Sequence, residues 1–141
     1  MTFSVVISDY TFPDLLQEKA AAEAKGASFA AHQSKSDAEL AKLVNGADVV
    51  AVQFATFGPM CCAAVTPGAT VIRYGVPHDN ILLPAATLAG LKIGYVPDYC
   101  TDEVAEHCCA AAMALLRKLV KLDASVRSGD WLAVKHAKPI K

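Results

Sequence analysis

The feature that most constrains this chain is the alternation of short runs rich in valine and isoleucine with longer segments of helical periodicity. Such alternation is typical of repeated strand–helix units built around a parallel sheet. Parallel strands that are covered on both faces are near-continuous apolar runs. Five segments meet that description: residues 3–8, 27–31, 48–54, 70–74 and 91–96. The sequence therefore predicts an α/β fold with a five-stranded parallel sheet and helices on both faces.

Local start and stop signals predict a helix after each of the first four strands. The first helix is predicted between Pro13 and Gly26, because proline is tolerated in a first helical turn and glycine commonly ends a helix. Ser36 and Glu39 have the spacing of a capping box, which predicts the start of a second helix. Shorter helices are predicted for residues 59–65 and 84–89.

The last predicted helix is the longest, since no proline or glycine interrupts the chain from Asp102 to about Ser128. Thr101 is the predicted N-cap. At 1.5 Å per residue the helix would be about 40 Å long, more than is needed to cover one face of the predicted sheet. It carries two apolar stripes, although a helix docked on its own sheet needs only one. The second stripe, with Leu116 and Val120 near its centre, predicts a homodimer.

Charge and apolar content exclude several classes of function. Thirteen Lys and Arg against fourteen Asp and Glu leave a formal net charge of −1, which gives no field to attract nucleic acid. The longest strongly apolar stretch, residues 108–116, is far shorter than the ~20 residues of a membrane span. The N-terminus has no basic leader, which predicts a cytoplasmic location. We therefore expect no nucleic-acid or membrane partner, and we expect the five cysteines to be reduced.

The sequence lacks the motifs of several common cofactor sites. Its eight glycines form neither G-x-G-x-x-G nor a P-loop, so no phosphate cradle is predicted. A response-regulator receiver domain needs an acidic residue at the end of its third strand, where this chain has Gln53 and Phe54. His107, Cys108 and Cys109 occupy consecutive helix positions that do not converge on one ion, so no metal site is predicted.

In an open parallel sheet, ligands bind outside the carboxyl ends of the strands, and two of the loops there are informative. In residues 73–80, Gly75 directly follows a strand, where glycine permits unusual backbone angles and lets amides face an anion. The alternative interpretation of this loop is a tight turn in which Asp79 or Asn80 caps the next helix.

In the second loop, residues 96–101, Tyr99 and Cys100 stand just before the long helix. The hydroxyl of Tyr99 is placed to face a cleft, and the helix N-terminus would acidify the thiol of Cys100. A thiol enzyme with Cys100 as its nucleophile is therefore one hypothesis. The competing interpretation is a small half-buried thiol, because no histidine stands at an evident triad spacing.

Two separated segments resemble one family: residues 71–81, VIRYGVPHDNI, and residues 96–107, VPDYCTDEVAEH. They are similar to the substrate domain of D-isomer-specific 2-hydroxyacid dehydrogenases, a group that includes phosphoglycerate dehydrogenases and the C-terminal binding protein co-repressors. Residues 83–90 and 126–131 also match comparable segments of the family. The resemblance implies a flavodoxin-like substrate domain over residues 1–100, a long connecting and dimerisation helix over 101–129, and a tail at 130–141 leading to an absent nucleotide-binding domain.

The resemblance further implies a truncated NAD(P)-dependent oxidoreductase that acts on small 2-hydroxy or 2-oxo acids. The NAD or NADP site and the family's catalytic Arg, Glu and His would lie beyond this chain, which is expected to bind no cofactor and to be inactive alone. Gly75, Val76 and Pro77 match the loop that offers backbone amides to the substrate carboxylate, and Tyr99 matches a pocket-lining position. Pro77 replaces the family's second glycine and has no N–H to donate. The alternative function is a non-catalytic flavodoxin-like binding module, co-repressor-like or specific for a small carboxylate.

Overall fold

The computed structural model describes residues 3–130 of the 141-residue chain. Strands and helices alternate along it, as the sequence predicts. The strands are β1 (Ser4–Ile7), β2 (Ser28–Ala31), β3 (Val49–Val52), β4 (Thr70–Arg73) and β5 (Lys92–Tyr95). The helices are α1 (Leu16–Ala24), α2 (Asp37–Leu43), α3 (Pro59–Ala64), α4 (Leu83–Leu88), α5 (Thr101–Leu116) and α6 (Leu119–Arg127).

The five strands form one sheet in the order β2-β1-β3-β4-β5, and every neighbouring pair is parallel. This is the flavodoxin-like order, in which the chain reverses its direction of winding between β1 and β3. The predicted five-stranded parallel sheet is thus confirmed. The carboxyl ends of all five strands lie along one edge, which fixes where side chains from distant parts of the sequence meet.

The main core fills one face of the sheet. Val50, Val52 and Val71 point to this face and are fully buried with Leu40 of α2 and Cys61 of α3. Each such aliphatic side chain contributes about 1.5 to 3 kcal/mol when it leaves water. β-branched residues suit these strands because they pack well on a pleated, buried surface.

The opposite face carries helix α1, so the expectation of helices on both faces is confirmed. Val5, Val49 and Ile72 alternate with the core-facing residues of their strands. Together with Ala21 and Ala22 of α1 they border a groove of about 280 Å³.

Helix α2 begins with half of the predicted capping box. The hydroxyl of Ser36 accepts a hydrogen bond from the N–H of Glu39 at 3.4 Å. The carboxylate of Glu39 does not reach back to Ser36, because it accepts a bond from the hydroxyl of Ser34 at 3.0 Å instead. Ser34 is buried, and this bond satisfies a hydroxyl that would otherwise be costly to enclose.

The neighbouring residue, Asp37, secures the start of helix α3. Its carboxylate accepts hydrogen bonds from the N–H groups of Gly58, Met60 and Cys61 at 2.9, 3.1 and 3.0 Å. Partial burial acts to raise the pKa of Asp37, but hydrogen bonds from the side chain and backbone of Cys61 and the backbone of Met60 and Gly58 outweigh it and leave the pKa lowered. The ionised carboxylate therefore stabilises the packing of α2 against α3.

The chain forms two compact units, one ending at Pro97 and the other beginning at Asp98. In the second unit, the prediction of one uninterrupted helix is wrong, because α5 ends at Leu116 and α6 begins at Leu119. Lys118 adopts a left-handed conformation with φ 54°, and its N–H donates to the carbonyl of Leu115 at 3.1 Å, which ends the helix. The break carries no sequence signal, since the residue there is lysine where glycine is usual.

The N-cap of α5 is Cys100 instead of the predicted Thr101, so the helix begins at Thr101, one position earlier than expected. Within residues 3–130, no helix is both long enough and apolar enough to cross a bilayer. The predicted tail at 130–141 lies, from residue 131 onward, outside the described residues.

Candidate functional site

A buried carboxylate at the end of β1 organises the loop that follows β3. Asp9 accepts hydrogen bonds from the N–H groups of Gln53, Phe54 and Ala55 at 3.0, 2.6 and 3.1 Å. The hydroxyl of Ser8 also donates to it. Because three consecutive amides converge on one carboxylate, the backbone of this loop is held in a single arrangement at the carboxyl edge of the sheet.

The loop after β4 is tied to the same segment. The side-chain amide of Asn80 donates to the carbonyl oxygens of Ala55 at 2.9 Å and Gln53 at 3.4 Å. The alternative interpretation, in which Asp79 or Asn80 caps the next helix, is wrong, since α4 has Leu82 as its N-cap and no side-chain capping bond. Asn80 instead binds one loop of the edge to another.

Phe54 presents its ring beside Arg73, the last residue of β4. The ring is 64% exposed, and the guanidinium carbon of Arg73 lies 5.9 Å from its centroid. Nη1 of Arg73 donates to the carbonyl oxygen of Tyr74 at 2.5 Å. Phe54, fixed through its own amide by Asp9, thus packs against a cation that stands two residues before Gly75.

The other edge of the Arg73 guanidinium has no protein acceptor among residues 3–130. Its Nε is enclosed and finds no hydrogen-bond partner within that part of the chain. The two ion pairs formed there, Lys19–Glu23 and Arg127–Asp123, lie on the surfaces of α1 and α6. The Nε and Nη2 donors of a guanidinium are spaced to bind the two oxygens of a carboxylate. The Nε of Arg73 is therefore an enclosed donor without a protein partner among residues 3–130.

The loop predicted to bind the substrate carboxylate, residues 75–77, comes shortly after Arg73 in the chain. Gly75 has φ 127°, a conformation that favours glycine, and its N–H donates to the carbonyl of Arg73 at 3.0 Å. Pro77 has no N–H. Within the described residues the N–H of Val76 has no acceptor, and Val76 is exposed. Of the three residues that the sequence analysis assigned to this loop, only Val76 has an amide free to bind a ligand.

The remaining candidates belong to the second unit. Tyr99 is 62% exposed and precedes α5. Cys100 is half-buried at the N-cap and makes no capping bond with its side chain. The structure therefore brings Gly75, Val76 and Pro77 together at the end of β4, whereas Tyr99 lies beyond the boundary between the units.

The thiols of the first unit are shielded. Burial raises the pKa of Cys61, and the hydrogen bond and charge of Asp37 raise it further. Burial and Asp37 also raise the pKa of Cys62. Both residues are therefore poor nucleophiles. Within residues 3–130, no three metal-ligating side chains form a group that could hold an ion.

Sequence reasoning pointed to the loops that contain Asp9, Phe54 and Arg73 but assigned these residues no role. A signal existed for Arg73, which is the only charged residue in the four-residue strand TVIR. Asp9 is the first acidic residue after the apolar run of β1, but its partners lie more than forty residues away in the sequence, so no local pattern reveals them.

Comparison with known proteins places this chain in a family. A sequence model of the D-isomer specific 2-hydroxyacid dehydrogenase catalytic domain matches residues 5–130. The chain is also 41% identical to a glyoxylate reductase of Pyrococcus furiosus over 61 residues, which are 43% of this chain and 18% of that enzyme. The matched part is thus a small fraction of the relative's length.

Solved structures share the fold. A glyoxylate reductase from Paecilomyes thermophila superimposes with a TM-score of 0.74 at 14% identity, covering 92% of this chain and 43% of the other. An acyclic imino acid reductase solved with NADPH and D-Arg gives a TM-score of 0.75 at 17% identity, covering 90% of this chain and 41% of the other. The present chain spans less than half of each of these proteins.

Proposed function

Since the chain belongs to the D-isomer specific 2-hydroxyacid dehydrogenase family, we propose that it is the substrate-binding part of an NAD- or NADP-dependent oxidoreductase for small 2-hydroxy and 2-oxo acids. The observation that carries the proposal is the family match over residues 5–130. The partial coverage of the related enzymes supports a parent protein in which a separate domain binds the nicotinamide cofactor, whose chemistry is hydride transfer.

The residues of this chain do not fit a dinucleotide themselves. The loop after β1, where a pyrophosphate turn would lie, contains no glycine and carries the buried carboxylate of Asp9. That carboxylate already binds the amides of residues 53–55, so these amides are not available to a phosphate. The chain alone is accordingly proposed to be inactive.

In this proposal, Arg73 and Val76 bind the carboxylate of the substrate. The N–H of Gly75 is occupied by the carbonyl of Arg73, and Pro77 has none, so the loop retains one of its three amides. The guanidinium of Arg73, whose enclosed Nε has no partner among residues 3–130, is proposed to supply the missing donors and a positive charge. Gly75 contributes the turn that brings Val76 to the same place. Tyr99 is proposed as a pocket residue on the family resemblance.

Nuclear magnetic resonance of the isotopically labelled chain tests this assignment with oxamate, a stable mimic of a 2-oxo acid. The chain has three arginines, at positions 73, 117 and 127, so each Nε–H signal can be assigned. We expect saturable shifts of the Arg73 Nε–H and the Val76 amide. The Nε of Arg127, already bound to Asp123 at 2.8 Å, is the internal control and is expected not to move.

Two variants sharpen the same titration. Arg73→Met is expected to weaken oxamate binding about ten- to hundredfold, the equivalent of one or two charge-assisted hydrogen bonds. Arg127→Met, which removes an exposed arginine of the second unit, is expected to leave it unchanged. Equal binding by the two variants, or equal shifts with neutral oxamide, would contradict the proposed site.

Activity is tested by comparing the chain with its parent protein. The chain alone is expected to bind no NADH in calorimetry and to turn over no glyoxylate. The parent, with its nucleotide-binding domain, is expected to oxidise NADH or NADPH in the presence of a 2-oxo acid. A parent that binds oxamate through Arg73 but oxidises neither cofactor would favour the alternative, a non-catalytic module that binds small carboxylates.

We also propose that the chain forms a homodimer through α5 and α6. The break at Lys118 places Leu116 on α5 and Val120 on α6. Both are apolar side chains that a partner copy would cover, and they are 59% and 80% exposed. Sedimentation equilibrium is expected to give twice the 14.8 kDa of the chain at micromolar concentration. A Leu116→Glu, Val120→Glu variant is expected to be monomeric, whereas Leu88→Glu, at an exposed position of α4, is expected to remain dimeric. A monomeric native chain would disprove the dimer.

A further inference from the structure

A cavity of about 390 Å³ opens where the chain leaves β1, β2 and β3. Its lining is drawn from three loops of the first unit: Asp9, Tyr10, Thr11, Gln33, Ser34, Lys35 and Phe54. The proposed binding of the substrate carboxylate by Arg73 and Val76 makes no use of this cavity. It nevertheless lies at the ligand-binding edge of the sheet.

The charges around the cavity favour an anion. Asp9 is 7% exposed, and three backbone amides and the Ser8 hydroxyl donate to its carboxylate, so its oxygens are already hydrogen-bonded. Lys35 forms no ion pair with any described residue. Of the two charged side chains on the cavity wall, Lys35 is therefore the one left without a partner among the described residues.

Most neutral polar groups around the cavity are already hydrogen-bonded within the chain, and one hydroxyl is not. The N–H and hydroxyl of Thr11 donate to the Gln53 side-chain oxygen at 2.7 and 3.2 Å. The side-chain amide of Gln33 donates to the carbonyl of Tyr10 at 2.9 Å. Among residues 3–130 the hydroxyl of Tyr10 has no partner, so it is a second donor among the lining residues for an incoming acid group.

Phe54 connects this cavity to Arg73. Its side chain lines the cavity, and the Arg73 guanidinium lies 5.9 Å from its ring centroid. Phe54 therefore borders both the cavity and the Arg73 guanidinium. The ring gives an apolar path between two sites that each attract an anion.

From this arrangement we infer that the cavity binds the distal acid group of the substrate, so the preferred substrates are 2-oxo and 2-hydroxy dicarboxylic acids. Lys35 and the Tyr10 hydroxyl bind the distal carboxylate, and Phe54 packs against the methylene groups. This inference rests on the proposed function, because it takes the first carboxylate to be bound by Arg73.

The test compares 2-oxoglutarate with 2-oxobutyrate, which has one carboxylate, in titrations of the labelled chain. We expect 2-oxoglutarate to bind about three- to tenfold more tightly, as one exposed charge contact and one hydrogen bond allow. The preference is expected to shrink in high salt, which screens an exposed lysine. Lys35→Gln is expected to remove the preference and leave 2-oxobutyrate binding unchanged, and Tyr10→Phe to reduce the preference in part.

Lys19→Gln is the matched control, because Lys19 lies on α1 and pairs with Glu23 at 3.9 Å. It is expected to keep the full preference for the dicarboxylate. Equal affinities for the two acids in the native chain, or a preference that survives Lys35→Gln, would overturn the inference while leaving the proposed function intact. Failure of both acids to shift the Arg73 Nε–H would overturn the proposed function and the cavity assignment together.

Discussion

The two units of the chain use apolar residues in opposite ways. In the first unit, Leu40, Val50 and Phe57 are completely buried. In the second, neither α5 nor α6 contains a buried residue, and Leu115 and Val120 are each 80% exposed. Apolar content therefore does not tell where a core lies. The first unit supplies both a sheet and the helices that cover it, whereas the second consists of helices with apolar faces that their own pairing does not enclose.

The largest effect that we expect is the difference in stability cost between two leucine-to-alanine substitutions, one in each unit. Leu40→Ala should lower the free energy of unfolding by about 2 to 5 kcal/mol, because it leaves a cavity in a closed core. Leu115→Ala should cost less than about 0.5 kcal/mol in dilute solution, since it removes an exposed side chain. Chemical denaturation followed by circular dichroism measures both. Similar costs would show that the second unit has a core of its own.

Asp9→Asn tests whether the first unit also depends on its buried polar contacts. The amide of asparagine would direct N–H groups at the backbone donors that now bind the carboxylate. We expect a loss of about 2 to 3 kcal/mol in denaturation experiments. Asp14→Asn is the control, because Asp14 is exposed and accepts one bond, from Leu16 at 3.0 Å. A cost for Asp9→Asn no larger than that of the control would show that the loop after β3 does not need the carboxylate.

The stability that a carboxylate contributes should depend on pH for Asp37 in the first unit, and this can be compared with Asp123 in the second unit. The pKa of Asp37 is lowered in the folded chain, so its ionised form stabilises the fold above the ordinary carboxyl pKa, and this contribution is lost as the pH falls through the lowered value. Asp37→Asn should cost about 1 to 2 kcal/mol at pH 7. The difference from the native chain should shrink below about pH 4.

The counterpart in the second unit is Asp123, which forms an exposed pair with Arg127 on α6. Asp123→Asn should cost no more than about 0.5 kcal/mol at pH 7. A pH-independent cost for Asp37→Asn would show that the ionised carboxylate is not what secures α3.

The smallest expected effect is on stability within the second unit, where glycine substitutions at two lysines should change it in opposite directions. Lys118 is left-handed, so Lys118→Gly should be neutral or stabilise the chain by up to about 1 kcal/mol. Lys121→Gly, inside α6, should destabilise that helix by about 1 kcal/mol. Thermal unfolding followed by circular dichroism compares the two. Destabilisation by both glycines would indicate that α5 and α6 form one continuous helix in solution.

The sheet could be predicted from sequence because each parallel strand is a short apolar run with its own local signal. The Ser36 cap was predictable for the same reason, since it joins residues three positions apart. The break at Lys118 was not, because a lysine in the left-handed conformation gives no warning in the sequence.

Prediction of the candidate site was correspondingly uneven. The loop around Gly75 was visible as a glycine after a strand, and the structure gives Gly75 the unusual backbone angle that this position suggested. The sequence could not show that its N–H would be occupied by the carbonyl of Arg73, nor that the Arg73 side chain would lie against Phe54. Those contacts depend on how separate loops meet at the edge of the sheet.

The bonds of Asp9 span 44 to 46 positions of sequence, and they link the site to the order in which the chain folds. Contacts of such long range cannot form until β1 and β3 have come together, because the entropy of closing the intervening segment must first be overcome. The loop that positions Phe54 therefore becomes ordered only after β1 and β3 have paired. Amide hydrogens of residues 53–55 should consequently exchange with solvent more slowly in the native chain than in Asp9→Asn, where their acceptor is lost.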